Sequence, residues 1–444
     1  MPLRLPSPAA RWLVFWLVCA ALLVARAGSR RESRGVIVDH LEFGRRLVHG
    51  EDVRGPWRSD PDAPLKTLHA PYPPSFGLLV APFALVAQAA GQLTARLAWA
   101  LMQVGCLVAI AFALRRAMAP PEDRADASVR DGAWQWIWLT TFLLGLRFVL
   151  RDMHGGGGNL VNLALCLAAF DAAERDRPAR AGLLLGFSLA TKPTQIWLVP
   201  VFLLLGHGRA VAWTVATGAA AVLVTLALQR FDASTWFEWI EGTWRFSTQA
   251  DAFAVPACEF PAFEWMNQSL RCALARWLGN VPPEYAVLVK AGMPSGAGFD
   301  VATVAAITRA ASALALSALA VVAFRSRRSR SARPYVFASA LVLSVLLSPL
   351  SWKAHHVALL PVLFLLVRRL RGDLVARVLT AAWAICVLPG GDLVGDTAGE
   401  WLNSIYVVTA WDVVLFGWTL QRARSAALED RDAALADRPI EALR

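Results

Sequence analysis

An all-α, polytopic membrane protein is the fold class that the sequence predicts, and three observations predict it. The chain of 444 residues is 57% hydrophobic and only 17% charged, with a positive mean hydropathy of +0.46, a mix too oily for a water-soluble globule. Its apolar residues fall into long runs, near the roughly 20 residues that a helix needs to cross the hydrocarbon layer. Its net charge of +11 comes almost entirely from arginines clustered between those runs, where they read as topology signals and not as contacts to nucleic acid.

The predicted spans follow in chain order. The first, 11–27, is flanked by Arg4 and Arg11 and ends in VARAGSRRES without a cleavage site, so it reads as a retained span and not a removed signal peptide. Others are predicted over 93–115, 133–150, 159–173, 210–228, 300–324, 334–348, 355–368, 374–389 and 401–420. In AGLLLGFSLATKPTQIWLVPVFLLL, 182–206, Lys192-Pro193 divides two apolar pieces that are each short for a crossing. A single crossing would turn RSRRSRSAR, 325–333, with its five arginines, outward. Two short helices meeting at the outer surface instead keep the basic loops 115–130, 174–180, 325–333 and 368–377 inside, together with the tail from 422. Charge favours the second arrangement, which gives about 12 segments and two cytoplasmic termini. Residues 75–91 then form a helix lying at or dipping into the outer face. The long outer segments are 28–92 and 230–299, within one transmembrane domain of residues 1–421, and 422–444 reads as a short cytoplasmic helical tail with no chemistry.

Because the cytoplasmic loops are short, the chemistry is expected on the outer side. Unusual residues gather there: Asp39 and Glu42 in VDHLEFGRRLVHG, Arg151 and Asp152 before GGGGN, Lys192, and Trp352, His355 and His356 in SWKAHH. Ionisable groups at a membrane are costly and are functional candidates for that reason. Each also has a plainer reading. Asp39 with the glutamate three places on matches a helix capping box, and Lys192 suits interfacial snorkelling. The His355-His356 pair lacks further ligands at metal-binding spacing. GGGG, 155–158, lacks the Lys-Ser/Thr of a phosphate loop and reads as a flexible connector.

Cys19, Cys106, Cys166 and Cys386 lie in apolar runs, whereas Cys258 and Cys272 fall in the second outer segment, where an oxidising compartment permits a disulfide between them. Trp236, Trp239, Trp244 and Trp265 in that segment suit either an interfacial belt or stacking against sugar rings. Asn267-Gln268-Ser269 is formally a glycosylation sequon.

Four stretches carry a family resemblance: HAPYPPSFGLLVAPFAL (69–85), NLVNLAL followed by ARAGLLLGFSLATKPTQIWLVPVFLLL (159–206), WMNQSLRCALARWLG (265–279) and LLSPLSWKAHHVALLPVLFLLV (346–367). In order and spacing, over about residues 35–420, the chain resembles glycosyltransferase family 87. The resemblance implies a GT-C-type bundle with long extracytoplasmic loops and a polyprenyl-phosphate sugar donor, as in polyprenol-phosphate-mannose-dependent α-(1→2)-mannosyltransferases. It also implies a catalytic carboxylate in the first outer loop, where Asp39, Phe43, Gly50 and Tyr72-Pro73-Pro74 match the pattern. Three positions depart from it. Glu42-Phe43 stands where relatives pair tyrosines, Asn159-Leu160-Val161-Asn162 where they carry Gly-Gln-x-Asn, and Lys353 where an acidic residue precedes the His pair. These departures bear on substrate more than on fold.

The expected reaction follows. Outside the cytoplasm a sugar must arrive on a membrane-borne donor, whose phosphate leaves without protonation, while the acceptor hydroxyl needs a base. Asp39 is the expected base. Lys192, His355 or His356, and Arg151 are expected to hold the phosphate, and Glu42, Tyr72, Asp152, Asn162, Asn267, Gln268 and Trp352 to bind substrate. No cofactor or metal is expected. The expected partners are the lipid donor and a glycan or glycolipid acceptor, at the outer face of a bacterial inner (plasma) membrane. A lipid or polysaccharide transporter is the alternative, and it would place ionisable groups at span midplanes; the predicted spans are nearly charge-free at their centres.

Overall fold

The structure, a computed structural model, describes residues 8–29, 36–53, 72–119, 131–253, 266–282 and 296–436. Among them every regular element is a helix, apart from two isolated β-bridges. Five helices are long and apolar enough to cross a membrane, within Ala9–Gly28, Phe76–Met118, Ala133–Gly155, Gly208–Leu228 and Val301–Ser326. The other expected spans fall on shorter helices, except that 401–420 falls largely on a helix of 30 residues, Val407–Ala436.

The first helix, α1 (Pro8–Gly28), is followed by the amphipathic α2 (Val36–His49). Ile37, Leu41, Phe43 and Leu47 form the apolar face of α2 and pack on Phe76 and Val80 of α3 (Phe76–Met118). Helix α3 breaks at Gly91, whose φ of 85° and ψ of 160° are open to glycine alone at no steric cost. The surface helix and the span predicted on either side of residue 92 are therefore two arms of one kinked element. Next come α4 (Asp131–Gly155), α5 (Asn159–Glu174) and α6 (Pro178–Thr191).

Helix α6 ends at Lys192, which is extended (φ −153°, ψ 92°); a 3-10 turn, Pro193–Gln195, leads into α7 (Leu198–Leu204) and then α8 (Gly208–Leu228). The direction of each piece can be read from glycine packing. A Cβ on Gly182 would meet Ala210, Trp213 and Thr214, and one on Gly186 would meet Thr214 and Thr217. The register rises together along both helices, so α6 and α8 run parallel and α7 must return between them. The stretch 182–206 thus breaks into two helices at Lys192-Pro193, the second of them only seven residues long. Gly182→Val forces a branched side chain against the α8 backbone and is expected to cost roughly 1–3 kcal/mol, seen as a lower melting temperature of the purified protein; an unchanged value would contradict the close α6–α8 approach.

The remainder comprises α9 (Ser234–Thr248), α10 (Leu270–Leu278), α11 (Val301–Ser326), α12 (Arg333–Leu347), a 3-10 segment Lys353–Leu359, α13 (Leu360–Arg369), α14 (Leu374–Cys386), the short α15 (Gly391–Val394) and α16 (Asp396–Ser404), and α17 (Val407–Ala436). Helices α12 and α13 are apolar all round and almost wholly buried, as a helix at the centre of a bundle must be. Helices α8 and α11 instead expose Val215, Leu223, Leu314, Val321 and Phe324. The α13 helix begins at Leu360, later than the predicted 355, because the 3-10 segment precedes it; α17 begins at Val407, later than the predicted 401, after Tyr406 at a φ of 57°. It then continues through residue 421 without a break, so the first part of the tail extends the last span.

Polar ties gather the helix ends into two sets. At one end the basic loops interlock: Arg116 with Asp171 at 3.0 Å, Arg333 and His207 with Glu174 at 3.1 Å each, Arg368 with the Met118 carbonyl at 3.0 Å, and Arg422 with Asp373. At the other end Arg147 reaches the Val387 carbonyl at 2.7 Å and Asn403 at 3.0 Å, and Gln268 Nε2 donates to the Asn403 carbonyl at 2.9 Å.

Candidate active site

The end away from the basic loops collects most of the predicted site residues. Asp39 and His40 lie on α2, Asp39 half-buried and His40 fully buried. Tyr72 enters α3 through the Tyr-Pro-Pro turn and stacks on Phe76 with ring centroids 4.2 Å apart. The His40 ring meets Tyr72 at 5.1 Å, Phe76 at 4.7 Å and Trp99 at 6.1 Å. Lys192, only 5% exposed, donates from Nζ to the Gly157 carbonyl at 3.1 Å and sits 5.4 Å from the centre of the Tyr72 ring. Four distant stretches of chain therefore meet around one ammonium group.

The glycine run that positions Lys192 is a fixed turn and not a flexible connector. Gly156 and Gly158 have φ of 78° and 70°, in the left-handed region, and a Cβ on Gly157 would strike the Asp152 carboxylate. That carboxylate closes the start of α5. Its Oδ1 accepts from the Asn159 N–H at 3.2 Å and Nδ2 at 2.6 Å, and its Oδ2 accepts from the Leu160 N–H at 2.9 Å and Gln103 Nε2 at 3.5 Å. It thereby satisfies N–H groups that a helix start leaves without partners and complements the helix dipole.

Asn162, one turn further on, holds the Lys192 break open. Its Nδ2 donates to the Lys192 carbonyl at 3.1 Å, to Thr194 Oγ1 at 3.0 Å and to Gln195, while its Oδ1 accepts from Ser188. The Lys192 carbonyl, which also accepts the Thr194 N–H at 2.9 Å, is thus held by a side chain from the neighbouring helix.

The histidine pair divides. His355 Nδ1 accepts the Trp352 N–H at 2.9 Å, which leaves the proton of its neutral ring on Nε2, a donor. Burial, then the Lys192 and His356 charges, hold that ring well below its ordinary pKa. His356 is fully buried, with Nδ1 at 3.1 Å from the Trp352 carbonyl, Nε2 at 3.0 Å from Asp412, and its ring stacked 5.3 Å from Phe148. Asp412 was not singled out by the sequence, since nothing local marks an acid 56 positions from its partner.

Asn267 and Gln268 fasten the second outer segment to the 349–352 turn. Asn267 Nδ2 donates to the Pro349 carbonyl at 2.9 Å, Asn267 Oδ1 accepts the Ser351 N–H at 2.8 Å, and the Gln268 N–H donates to the Ser351 carbonyl at 2.7 Å, beside a bridge between Asn267 and Trp352. With Asn267 1% exposed, the sequon amide is occupied inside the fold. Glu42 faces the other way on α2: it pairs with Arg45 at 2.9 Å and Arg46 at 2.7 Å, and these hold its carboxyl below the usual range. Arg151 is exposed. Cys272 is buried against Ala273 and Tyr406, and Cys258 lies outside the described residues, as does Trp265. A cavity of about 660 Å³ lies between 247–253, α10 and the start of α11, lined by none of the residues around Lys192.

Electrostatics separate the roles. Burial lowers the Lys192 ammonium to about 8, with Asp152 pulling the other way. Burial and the Lys192 charge push His40 down to about 3, so its ring is neutral, while a hydrogen bond with the Gly156 backbone pulls the other way. A buried neutral imidazole beside a cation is, like Asp412, a feature that the sequence did not signal beyond its place next to Asp39. Tyr72 is pushed up by burial and then by Asp152 and Asp39, so both carboxylates lie within electrostatic reach of its hydroxyl.

The chain matches the family model of glycosyltransferase family 87 over residues 70–349. The match takes in Tyr72, Asp152, Asn162, Lys192 and Asn267 and stops short of Asp39 and His355. No curated protein matches the chain.

Proposed function

The chain belongs to glycosyltransferase family 87 and is a glycosyltransferase with multiple apolar helices, and on that premise we propose that it moves a sugar, mannose by family resemblance, from a polyprenyl-phosphate donor to a hydroxyl of a glycan or glycolipid on the extracytoplasmic face. The observation that carries this reading is the meeting of Asp39, Tyr72, His355 and Lys192 at the end opposite the basic loops. In that arrangement Lys192 and the Nε2–H of His355 bind the donor phosphate. Asp39 takes the proton of the acceptor hydroxyl as its oxygen attacks the anomeric carbon; the bond to phosphate breaks on the opposite side, the configuration inverts, and polyprenyl phosphate leaves with the electron pair. No group has to protonate the leaving phosphate.

His40 and Tyr72 line the path between base and cation, where the neutral imidazole gives a sugar hydroxyl something to bind. Asp152, Asn162, Asn267, Gln268 and Trp352 act at one remove: they build the turns that hold Lys192 and His355. Arg151 and Glu42, with its two arginines, face headgroups. His356 is spent on Asp412. With the shorter helices also crossing, the segments number about 12, and the charge of the loops puts both termini in the cytoplasm of a bacterial inner membrane.

Transfer of radiolabelled sugar from purified lipid donor, without any gradient, tests the reaction. Its pH dependence tests Lys192. That group is charged below about 8 and neutral above it, so kcat/KM for the donor is expected to fall about tenfold per pH unit above the transition. Lys192→Arg, charged throughout, should abolish that alkaline fall. A profile unchanged by the substitution would take the phosphate contact away from Lys192.

A further inference from the structure

At the opposite end of the molecule lies a second site. The end of α11 and the extension of α17 past residue 421 enclose a cavity of about 440 Å³. Arg325, Arg424 and Arg431 line it, with Ser326, Val322 and Leu428. Positions 424, 428 and 431 follow the helical spacing of one α17 face, so two guanidinium groups and an apolar side chain point the same way. Of the acids in the same stretch, Asp430 accepts from Ser329 Oγ at 2.7 Å and Glu429 falls off that face, while Asp432 lies at its edge one turn beyond Leu428. Arg422, on another face, is paired with Asp373.

The second observation is Ser326. It is fully buried, and its Oγ has no hydrogen-bond partner among the described residues. A helical serine ordinarily bonds the carbonyl four residues back, so a buried hydroxyl in want of a partner at the floor of a cationic cavity is the mark of a missing acceptor. An anion with several oxygens supplies it. Three arginines suit a phosphate, which guanidinium groups grip with paired bonds. The surroundings identify its carrier. Leu428 is 49% exposed beside the cavity, and Val321 and Phe324 are about half exposed on the α11 surface that leads to it. A free phosphate has no use for that apolar wall; acyl chains do. Basic clusters at the cytoplasmic ends of spans attract anionic headgroups.

We propose that this cavity binds the phosphate of an anionic phospholipid headgroup, with Arg424, Arg431 and Arg325 as cationic ligands and Ser326 as the buried donor. The site is separate from the transfer reaction. It gives the tail beyond residue 421 a purpose: pinning the last helix against α11 through a lipid shared by both.

Native mass spectrometry of the full chain in mild detergent, titrated with phosphatidylglycerol, phosphatidylcholine or inorganic phosphate, tests it. Phosphatidylglycerol is expected to bind in clear preference to phosphatidylcholine. The double variant Arg424→Gln/Arg431→Gln should weaken phosphatidylglycerol about 25-fold, at about fivefold per surface arginine, and leave phosphatidylcholine alone. Ser326→Ala should also weaken it, while raising the melting temperature of the lipid-free protein, because the orphaned hydroxyl is gone. Retention of phosphatidylglycerol at full strength by the double variant would overturn the site. Its displacement by inorganic phosphate at equal concentration would overturn the lipid assignment.

Discussion

Asp39→Asn is expected to bind the lipid donor as the wild type does and to transfer almost no sugar. The amide keeps the size of the side chain and its half-buried seat on α2, so the packing of Phe43 and Leu47 on α3 is untouched. What it loses is basicity. A positioned base contributes between about a hundredfold and ten-thousandfold to a proton-transfer step, and the rate of transfer from purified donor should drop by that much. Asp39→Glu, which retains a carboxylate on a longer stem, should recover part of it. Transfer by Asp39→Asn within about threefold of wild type, far below any base contribution, would place the base elsewhere; Asp39 is not the cap that its spacing with Glu42 suggested, because α2 begins three residues earlier at Val36.

Asp152→Ala is expected to do its damage through the fold. Four donors converge on this buried carboxylate, and its charge is the near counterpart of the Lys192 ammonium. Alanine leaves the first N–H groups of α5 without an acceptor and Lys192 without compensation. Removing one partner of a buried charge pair costs roughly 3–5 kcal/mol, so the purified protein should melt several degrees lower. The glycine turn would loosen with it, and donor affinity should fall because the Gly157 carbonyl no longer anchors Lys192. Asp152→Asn keeps an acceptor for one of the N–H groups and should lie between the two. A melting temperature for Asp152→Ala within about 1 °C of wild type would mean that the cap carries no weight.

The features legible in the sequence are those with a local cause. Lys192-Pro193 announces a break because proline offers no N–H to a continuing helix and the apolar pieces beside it are short. Asp39 stood out as an acid close behind an apolar run, and α2 shows its buried face in the spacing of Ile37, Leu41 and Leu47. The two helices on either side of Lys192-Pro193 are the apolar pieces into which the sequence divides 182–206. Long-range polar pairings were not legible: Asp412 with His356, Asn162 with Thr194, and Asn267 with the 349–351 backbone join residues whose separation in sequence follows no period. His40 was hidden for another reason. On an amphipathic helix a histidine at an apolar position reads as core, and only its place within reach of the Lys192 charge sets it apart. The glycine run misled, since four glycines look alike in sequence whether they bend freely or, as at Gly156, Gly157 and Gly158, are required by a left-handed angle or a close approach.

The brevity of α6 and α7 sets a depth. Fourteen residues of α6 rise about 21 Å from the basic loops to the Lys192 break, whereas the hydrocarbon layer is about 30 Å thick. On the proposed topology, with the loops at one headgroup level, the break would stop some 10 Å short of the other, and the ammonium would sit at the bottom of a well sunk into the bilayer. The proposed donor, its phosphate among the headgroups, would then have to be drawn down, or the membrane would have to pinch thin around α6 and α7.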